Sequence, residues 1–248
     1  GSVIYRALTG QSQGETPVAY WPLEDGSEAD RPGSALATVA PMTVSRNSSE
    51  DVSYASFDGF AGSAPTLTIP DNVIVYGNTP AFQASGESVT VMALVSLPEG
   101  GVANNNTHLM TLNTQGTTAY WRARVNINGT LSIEWTDGDA ASSASIPTTW
   151  NILDQPSLIT FTMEQNGANI DWTLTAYRAG STAPVSFSAT ALGRTFVRVW
   201  RVVFGAQRNL GGVAVGHIAV FGPNTLSSIG MDLVNGYSGE AAGRRIER

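Results

Sequence analysis

The chain has 248 residues, with 13 Arg, no Lys, 20 Asp and Glu, and no Cys, so its formal net charge is -7. An acidic chain without a basic cluster is poorly suited to nucleic acids, whose phosphates require concentrated Lys or Arg. The hydrophobic content of 42% argues against a disordered chain, no apolar run approaches the roughly 20 residues of a membrane span, and the lack of Cys excludes disulfides and thiol catalysis.

Short alternating segments separated by Gly, Pro, Asn and Asp fill most of the chain. Residues 1–16 are interpreted as a lead-in segment, whose first two residues resemble a cloning scar. The following segments are predicted to be β-strands: 17–23, 53–58, 65–70, 88–97, 107–113, 118–126, 130–136, 157–164, 169–178, 184–189, 196–204 and 213–221. Many short strands joined by turns predict an all-β fold, a two-sheet antiparallel sandwich.

Turn residues predict how two of the hairpins pair. In the first hairpin, a three-residue loop that ends at Gly129 pairs Trp121 with Trp135 and Arg122 with Glu134. Every pair then joins like residues, and glycine occupies the position that needs a left-handed conformation. This register predicts one apolar face and one polar face with an Arg–Glu cross-strand pair.

The second hairpin is predicted to have a four-residue loop at 165–168, which aligns Met163 with Ile170 and Phe161 with Trp172. Both hairpins then contribute layers to one core between two sheets. Tryptophans that follow apolar faces are predicted to pack in this core: Trp21, Trp121, Trp135, Trp172 and Trp200.

The end of the chain has a different pattern. Ser238 stands where a helix cap is expected, and alanines and charged residues follow it, so a short C-terminal helix is predicted. The chain stops within this pattern. We therefore interpret 17–228 as the sandwich domain and 229–248 as a helical segment that leads to a downstream region absent from this sequence.

Four stretches resemble, in order, the opening strand, the F-D-G segment, the central strand and the closing strand of concanavalin A-like, laminin-G-type jelly-roll domains. They are 17–25 (PVAYWPLED), 54–59 (YASFDG) with 67–71 close behind, 88–97 (SVTVMALVSL) and 216–222 (GHIAVFG). The tail at 236–248 resembles the segment that follows such domains in tail proteins of phages and prophages of actinobacteria.

The resemblance implies a concanavalin A-like jelly roll in a phage-like tail, exposed on the extracellular surface of the particle and contacting carbohydrate on the host surface. It also implies other tail subunits as partners and a homotrimer in the full-length protein. Neither nucleic acid nor membrane insertion is expected. Two alternatives stay open, a purely structural domain that packs against tail subunits and a glycan hydrolase.

Catalytic patterns are weak in this sequence. Laminarinase-type enzymes of the same fold place two carboxylic acids on one strand, and retaining hydrolysis needs them about 5–5.5 Å apart. Here Glu134 stands on a predicted strand, whereas Asp137 and Asp139 fall in the turn after it. His108 and His217 have no ligand-like spacing, and His217 is interpreted as a structural, hydrogen-bonded residue. The chain is therefore expected to be no enzyme, and no catalytic residue is assigned.

The polar face of the first hairpin is the predicted ligand-binding surface. Sugars are bound by aromatic platforms together with polar groups placed to pair with hydroxyls. Tyr120 could supply the ring, Trp150 is the best candidate for an exposed aromatic residue, and the hydrogen-bonding candidates are Arg122, Arg124, Asn126 and Glu134. The competing interpretation is that this face is solvated or covered by a neighbouring subunit.

Calcium is the candidate cofactor, and the alternative is a solvated loop that binds no ion. It prefers six to eight oxygen ligands, and related sandwich domains often bind it in loops at one rim. The densest group of oxygen ligands in the sequence is predicted to form this site: Glu24, Asp25, Glu28 and Asp30.

Overall fold

A computed structural model describes most of the sandwich. The described residues are 17–23, 32–36, 38–46, 51–56, 65–79, 88–97, 107–114, 120–136, 141–145, 151–152, 156–178, 184–193, 199–205 and 213–222. They contain these strands: β1 (Ala19–Trp21), β2 (Thr43–Arg46), β3 (Ser53–Ser56), β4 (Pro65–Ile69), β5 (Val73–Asn78), β6 (Ser88–Ser96), β7 (Thr107–Thr114), β8 (Tyr120–Val125), β9 (Leu131–Thr136), β10 (Ala141–Ser145), β11 (Ser157–Asn166), β12 (Asn169–Arg178), β13 (Val185–Ala191), β14 (Val199–Gly205) and β15 (Val213–Phe221).

The strands form two antiparallel sheets, which confirms the predicted all-β sandwich. The eight-stranded sheet has the order β13-β12-β11-β6-β15-β4-β3, with β1 also paired to β15. The seven-stranded sheet has the order β10-β9-β8-β7-β14-β5-β2. The described ranges hold no helix, and so none long and apolar enough to cross a membrane. The predicted lead-in segment and C-terminal helix lie outside these ranges.

Every predicted strand overlaps an observed one, but β2, β5 and β10 are absent from the prediction. β10 consists only of Ala and Ser, which have little intrinsic preference for strands. β5 contains Gly77, which weakens a strand pattern. Pairing with neighbouring strands overrides these weak local signals.

Apolar side chains from the inward faces of both sheets meet in one core. β8 alternates along its length, with Trp121, Ala123 and Val125 buried and the residues between them half-buried. On the opposing sheet, Phe161 of β11 and Trp172 of β12 are both 1% exposed. Removing this apolar surface from water stabilises the fold by roughly 25 cal/mol per Å².

Aromatic rings form a chain through the core from one sheet to the other. Trp121 stacks on Trp135 with their centroids 5.8 Å apart, Trp135 lies 6.3 Å from Trp172, and Trp172 lies 5.3 Å from Phe187. Trp21, Trp121 and Trp172 are buried as predicted, and Trp135 packs against the core while partly exposed. The side chain of Trp200 lies outside the described part of the chain.

The first hairpin has the predicted register. Trp121 faces Trp135, Arg122 faces Glu134, and Gly129 has a φ of 81°. This positive φ is the conformation that the three-residue loop requires of a glycine.

The second hairpin differs from the prediction by two residues. Met163 faces Trp172 rather than Ile170, because the loop contains only Gly167 and Ala168. Gly167 has a φ of 60°, and glycine in the first position of a two-residue loop is typical of a type II′ turn. A shift by two keeps every side chain on the same face of the sheet, so the apolar pattern fitted both registers.

Hydroxyl groups line the outer face of β12 and β13 in the eight-stranded sheet, beside the facing acids Glu164 and Asp171. Thr173 Oγ1 lies 2.9 Å from Ser188 Oγ, and Thr175 Oγ1 lies 3.0 Å from Ser186 Oγ. These hydroxyl residues alternate along β12 and β13 with residues that face the core. Here they form hydrogen bonds with one another across the strands.

His217 has a structural role, as predicted. It is 4% exposed, its Nδ1 lies 2.8 Å from the hydroxyl of Tyr20, and its backbone N–H donates to the carbonyl of Pro22. Its φ of 49° falls where the pairing of β15 with β6 shifts register. This residue therefore stabilises the bulge of β15 against β6 through its bonds to Tyr20 and Pro22.

Candidate functional site

The alternation of β8 and β9 brings polar side chains together on the outer face of the seven-stranded sheet. Tyr120, Arg122 and Arg124 alternate with the buried core residues of β8. Glu134 of β9 lies directly opposite Arg122, and Thr111 of β7 lies opposite Arg122 on its other side. Three adjacent strands thus place these groups on one surface.

Glu134 is the centre of this cluster. The hydroxyl of Tyr120 donates to its Oε1 over 2.7 Å, and Arg122 Nη1 lies 3.2 Å from the same oxygen. Arg124 Nη2 forms an ion pair with Oε2. The carboxylate is only 4% exposed, although it stands on an outward face. Both of its oxygens are bound to donors, so the carboxylate serves to orient its neighbours.

Arg122 contacts four neighbouring side chains of the cluster. Its Nε donates to Thr111 Oγ1 over 3.2 Å, and its guanidinium carbon lies 4.0 Å from the ring centroid of Tyr120. Its Nη1 also lies 3.0 Å from His108 Nε2. Because arginine has no acceptor, His108 Nε2 must accept this bond, so the imidazole is neutral and carries its proton on Nδ1.

The electrostatics of the cluster agree with a neutral imidazole. Burial, followed by the positive charges of Arg122 and Arg124, lowers the pKa of His108 to about 4. Burial and the hydrogen bond to Glu134 raise the pKa of Tyr120 above its usual range. At neutral pH His108 therefore adds no charge, and Tyr120 remains a hydrogen-bond donor.

A second arginine lies over a second tyrosine on the same outer face. The guanidinium carbon of Arg201 lies 4.3 Å from the ring centroid of Tyr76, and Arg201 Nε donates to Asn78 Oδ1 over 3.0 Å. Strands β7 and β14 lie between β5, which carries Tyr76, and β8, which carries Tyr120. At about 4.8 Å per strand, the two tyrosines stand roughly 14 Å apart across the sheet.

The structure brings together four residues of the predicted binding surface: Tyr120, Arg122, Arg124 and Glu134. Asn126 lies at the end of β8, where its Nδ2 donates to Thr130 Oγ1 over 2.9 Å. The ring of Tyr120 has Arg122 on one face, so the expected platform is an Arg–Tyr stack. Other predicted residues lie outside the described ranges, namely Trp150, Glu24, Asp25, Glu28 and Asp30.

The sequence-based prediction left out His108, Thr111, Tyr76 and Arg201 as parts of this face. Pairing of β7 with β8 could have indicated Thr111, but the shift in register between His108 and Met110 hides the position of His108. Tyr76 belongs to β5, which the prediction lacks. Within the described ranges, no group of three or more His, Asp or Glu side chains could hold a metal ion.

Comparisons with known proteins support the fold and leave the family open. No family model matches the chain, and no curated protein matches it. It is similar to the botulinum neurotoxin serotype D binding domain, with 10% identity and a TM-score of 0.59 over 93% of this chain and 52% of that one. The chain thus spans about half the length of these toxin domains. At such identity the likeness shows a shared fold.

Two solved complexes have the same fold. Domain 4 of AbnA, a GH43 extracellular arabinanase from Geobacillus stearothermophilus in complex with arabinotriose, is 12% identical, with a TM-score of 0.58 over 88% of this chain and 98% of that one. The binding domain of botulinum neurotoxin DC in complex with SialylT is 8% identical, with a TM-score of 0.55 over 86% of this chain and 49% of that one. The chain is thus similar in fold to β-sandwich domains solved in complex with carbohydrate.

Proposed function

We propose that this chain is a non-catalytic, lectin-like domain that binds carbohydrate on the outer face of its seven-stranded sheet. The observation that carries the proposal is the network around Glu134, which fixes Tyr120, Arg122 and Arg124 in place before any ligand arrives. Holding side chains in their bound geometry reduces the entropy lost on binding. Planar guanidinium groups suit paired sugar hydroxyls, because they offer several donors in a fixed plane.

The second Arg–Tyr pair extends this surface. A ligand that contacts both Tyr120 and Tyr76 would cross about three strand intervals, roughly 14 Å. This span exceeds a single sugar ring and favours an oligosaccharide. The likeness to domain 4 of the arabinanase, solved with arabinotriose, supports this ligand class through a shared fold alone.

Isothermal titration against purified oligosaccharides from bacterial envelopes tests the proposal. We expect saturable binding that weakens about tenfold or more in Tyr76→Ala and in Tyr120→Ala, since each loses a side chain of the proposed surface. The matched control is Thr175→Ala, on the outer face of the other sheet. If the folded protein binds no glycan, or if the control weakens binding equally, the proposed surface is wrong.

The same assay separates the alternatives. A structural domain that packs against neighbouring subunits would bind no glycan while remaining folded. A hydrolase would release reducing ends, and Glu134→Gln would abolish that release. Binding without release is the outcome that we expect.

We also propose that the domain belongs to a tail protein of a phage or prophage, located on the virion tail and able to form a homotrimer with other tail subunits nearby. The support is the sequence resemblance of 17–228 and of the tail at 236–248. Antibodies raised against the domain should label tails of particles from the source strain. Labelling restricted to other structures would exclude this context.

Calcium remains part of the proposal through the oxygen ligands at 24–30. A stabilising ion raises the melting temperature in proportion to the logarithm of its concentration above Kd. We expect excess chelator to lower the melting temperature, and Asp25→Asn to reduce that response. An unchanged melting temperature in chelator would exclude a stabilising calcium ion.

A further inference from the structure

The cluster around Glu134 contains more positive than negative charge. Arg122 and Arg124 both form their ion pairs with the same carboxylate, and the remaining partners of Arg122, His108 and Thr111, are neutral. Two guanidinium groups thus share one anion. The excess of one positive charge stands out in a chain whose formal net charge is -7.

Arg124 has hydrogen-bonding capacity that the fold leaves unused. Its Nε is buried and has no hydrogen-bond partner among the described residues. A guanidinium group offers five donors in one plane, and an anion can accept two of them in parallel. Nε itself is sealed from solvent, so the donors open to a bound anion are those of the guanidinium group that reach the surface.

Solvent reaches both arginine side chains. The side chains of Arg122 and Arg124 are 16% and 21% exposed, whereas that of Glu134 is 5% exposed. A ligand approaching the face therefore meets the two cations first and the carboxylate behind them. The partly buried setting also strengthens attraction to an anion relative to bulk water.

We infer that this cluster binds an acidic sugar, a glycan residue carrying one carboxylate or sulfate group that contacts Arg122 and Arg124. The inference rests on the proposed carbohydrate-binding function and specifies its ligand class. The anionic group supplies the charge that the cluster lacks, and it accepts hydrogen bonds from the exposed edges of the two guanidinium groups. The uncharged remainder of the glycan extends over the sheet toward Tyr76.

Pairs of polymers that differ only in charge test the inference. Polygalacturonate is compared with its methyl ester, and dextran sulfate with dextran, by titration at low and at high salt. We expect at least about tenfold tighter binding of a charged member at low salt, with the preference shrinking as salt screens the charges. The two pairs show whether the site prefers carboxylate or sulfate.

Variants locate the preference at the cluster. Arg124→Gln should bring the charged and neutral members of a pair within about twofold of each other, since it removes the excess charge. Ser186→Glu lowers the net charge equally on the exposed hydroxyl face of the other sheet, so it should keep the preference. Arg124→Lys retains the charge, and partial recovery of the preference by this variant would show that Arg124→Gln acts through charge.

Each outcome has one meaning. Equal affinity of the wild-type protein for both members of each pair would overturn the acidic-sugar inference while leaving carbohydrate binding intact. If the protein binds none of the four polymers and no neutral oligosaccharide either, the proposed function itself is wrong. A preference that persists in Arg124→Gln would place the anion elsewhere.

The imidazole of His108 gives a readout that does not depend on affinity. The two positive charges contribute to its low pKa of about 4, so an anion bound beside them should raise that pKa. NMR titration of the imidazole with and without polygalacturonate measures this change, and His217 is the only other histidine. A pKa of His108 that stays constant at saturating ligand would contradict binding at this cluster.

Discussion

The indole ring of Trp21 occupies the space where a side chain would begin at residue 77. A Cβ atom on Gly77 would lie 2.9 Å from Trp21 Cε2 and closer still to two other carbons of the ring. Trp21 is fully buried, and its Nε1 donates to the carbonyl of Ala40 over 3.0 Å. Glycine at 77 therefore lets β1 of one sheet pack closely against β5 of the other.

Gly77→Ala should destabilise the protein by about 2–3 kcal/mol, because a fixed indole ring cannot move aside without losing its packing. Urea denaturation measures the change. Ser186→Thr is the control, since it adds one methyl group at an exposed strand position and keeps the hydroxyl. Equal stability of the two variants would show that the core yields to the extra methyl group.

Glu134→Gln should destabilise the fold by about 2 kcal/mol, because two partly buried guanidinium groups lose their shared counter-charge. Guanidinium chloride adds salt, so urea is the suitable denaturant. The control is Glu164→Gln on an exposed position of β11, with an expected change within about 0.5 kcal/mol. A change at Glu134 as small as that at Glu164 would contradict the central role of this carboxylate.

His108 should make stability depend on pH below neutrality. Its pKa is about 4 in the folded protein and 6.5 in the unfolded chain, so the unfolded state binds more protons between these values. Stability contributed by the neutral imidazole is complete above about pH 6.5 and declines as pH falls toward 4.

His108→Gln should remove this pH-dependent contribution. The unfolding free energy of the wild type should therefore fall relative to that of the variant as the pH is lowered from 7 to 4.5. Urea denaturation at several pH values measures it. Between pH 7.5 and 8.5 the difference should stay constant, because His108 is neutral in both states there. If the unfolding free energies of wild type and variant depend on pH in the same way down to pH 4.5, the lowered pKa of His108 is contradicted.

Asn128 holds the turn of the first hairpin, since its Oδ1 accepts from the N–H of Thr130 over 3.1 Å and from Thr130 Oγ1 over 2.8 Å. Asn128→Ala should cost about 1 kcal/mol in unfolding free energy. Asn128→Asp keeps the accepting oxygen and should retain most of that stability. Equal losses in the two variants would assign the effect to the backbone.

Local rules predicted the fold where turn chemistry and side-chain parity agreed. Gly129 and the Trp121–Trp135 pair determined the first register together, because a shift by one residue would have mixed polar and apolar partners. In the second hairpin, the alternation of apolar and polar residues fitted two registers that differ by two residues. The two-residue turn that begins at Gly167 selects the observed one. β5 was not predicted because Gly77 weakens its local strand pattern. Glycine is required at this position by the close contact with Trp21, which lies in a distant part of the chain.

The candidate site was predictable only within one hairpin. Arg122, Arg124 and Glu134 share a face by simple alternation along β8 and β9, which the sequence shows directly. His108 reaches this face from β7, whose pairing with β8 shifts register. Arg201 reaches it from β14 and stands 79 residues beyond Arg122 in the sequence. Such neighbours depend on the order of strands in the sheet, which alternation does not reveal.

The paired hydroxyls of the eight-stranded sheet have a consequence for binding experiments. The hydroxyl patch consists of two uncharged, hydrogen-bonded pairs, Thr173 with Ser188 and Thr175 with Ser186. The affinity of a partner bound there should change little between low and high salt. The opposite face contains the arginines and should respond to added salt. Salt dependence can therefore distinguish binding at this hydroxyl patch from binding at the arginines, whereas the facing acids Glu164 and Asp171 beside the patch would also respond to salt.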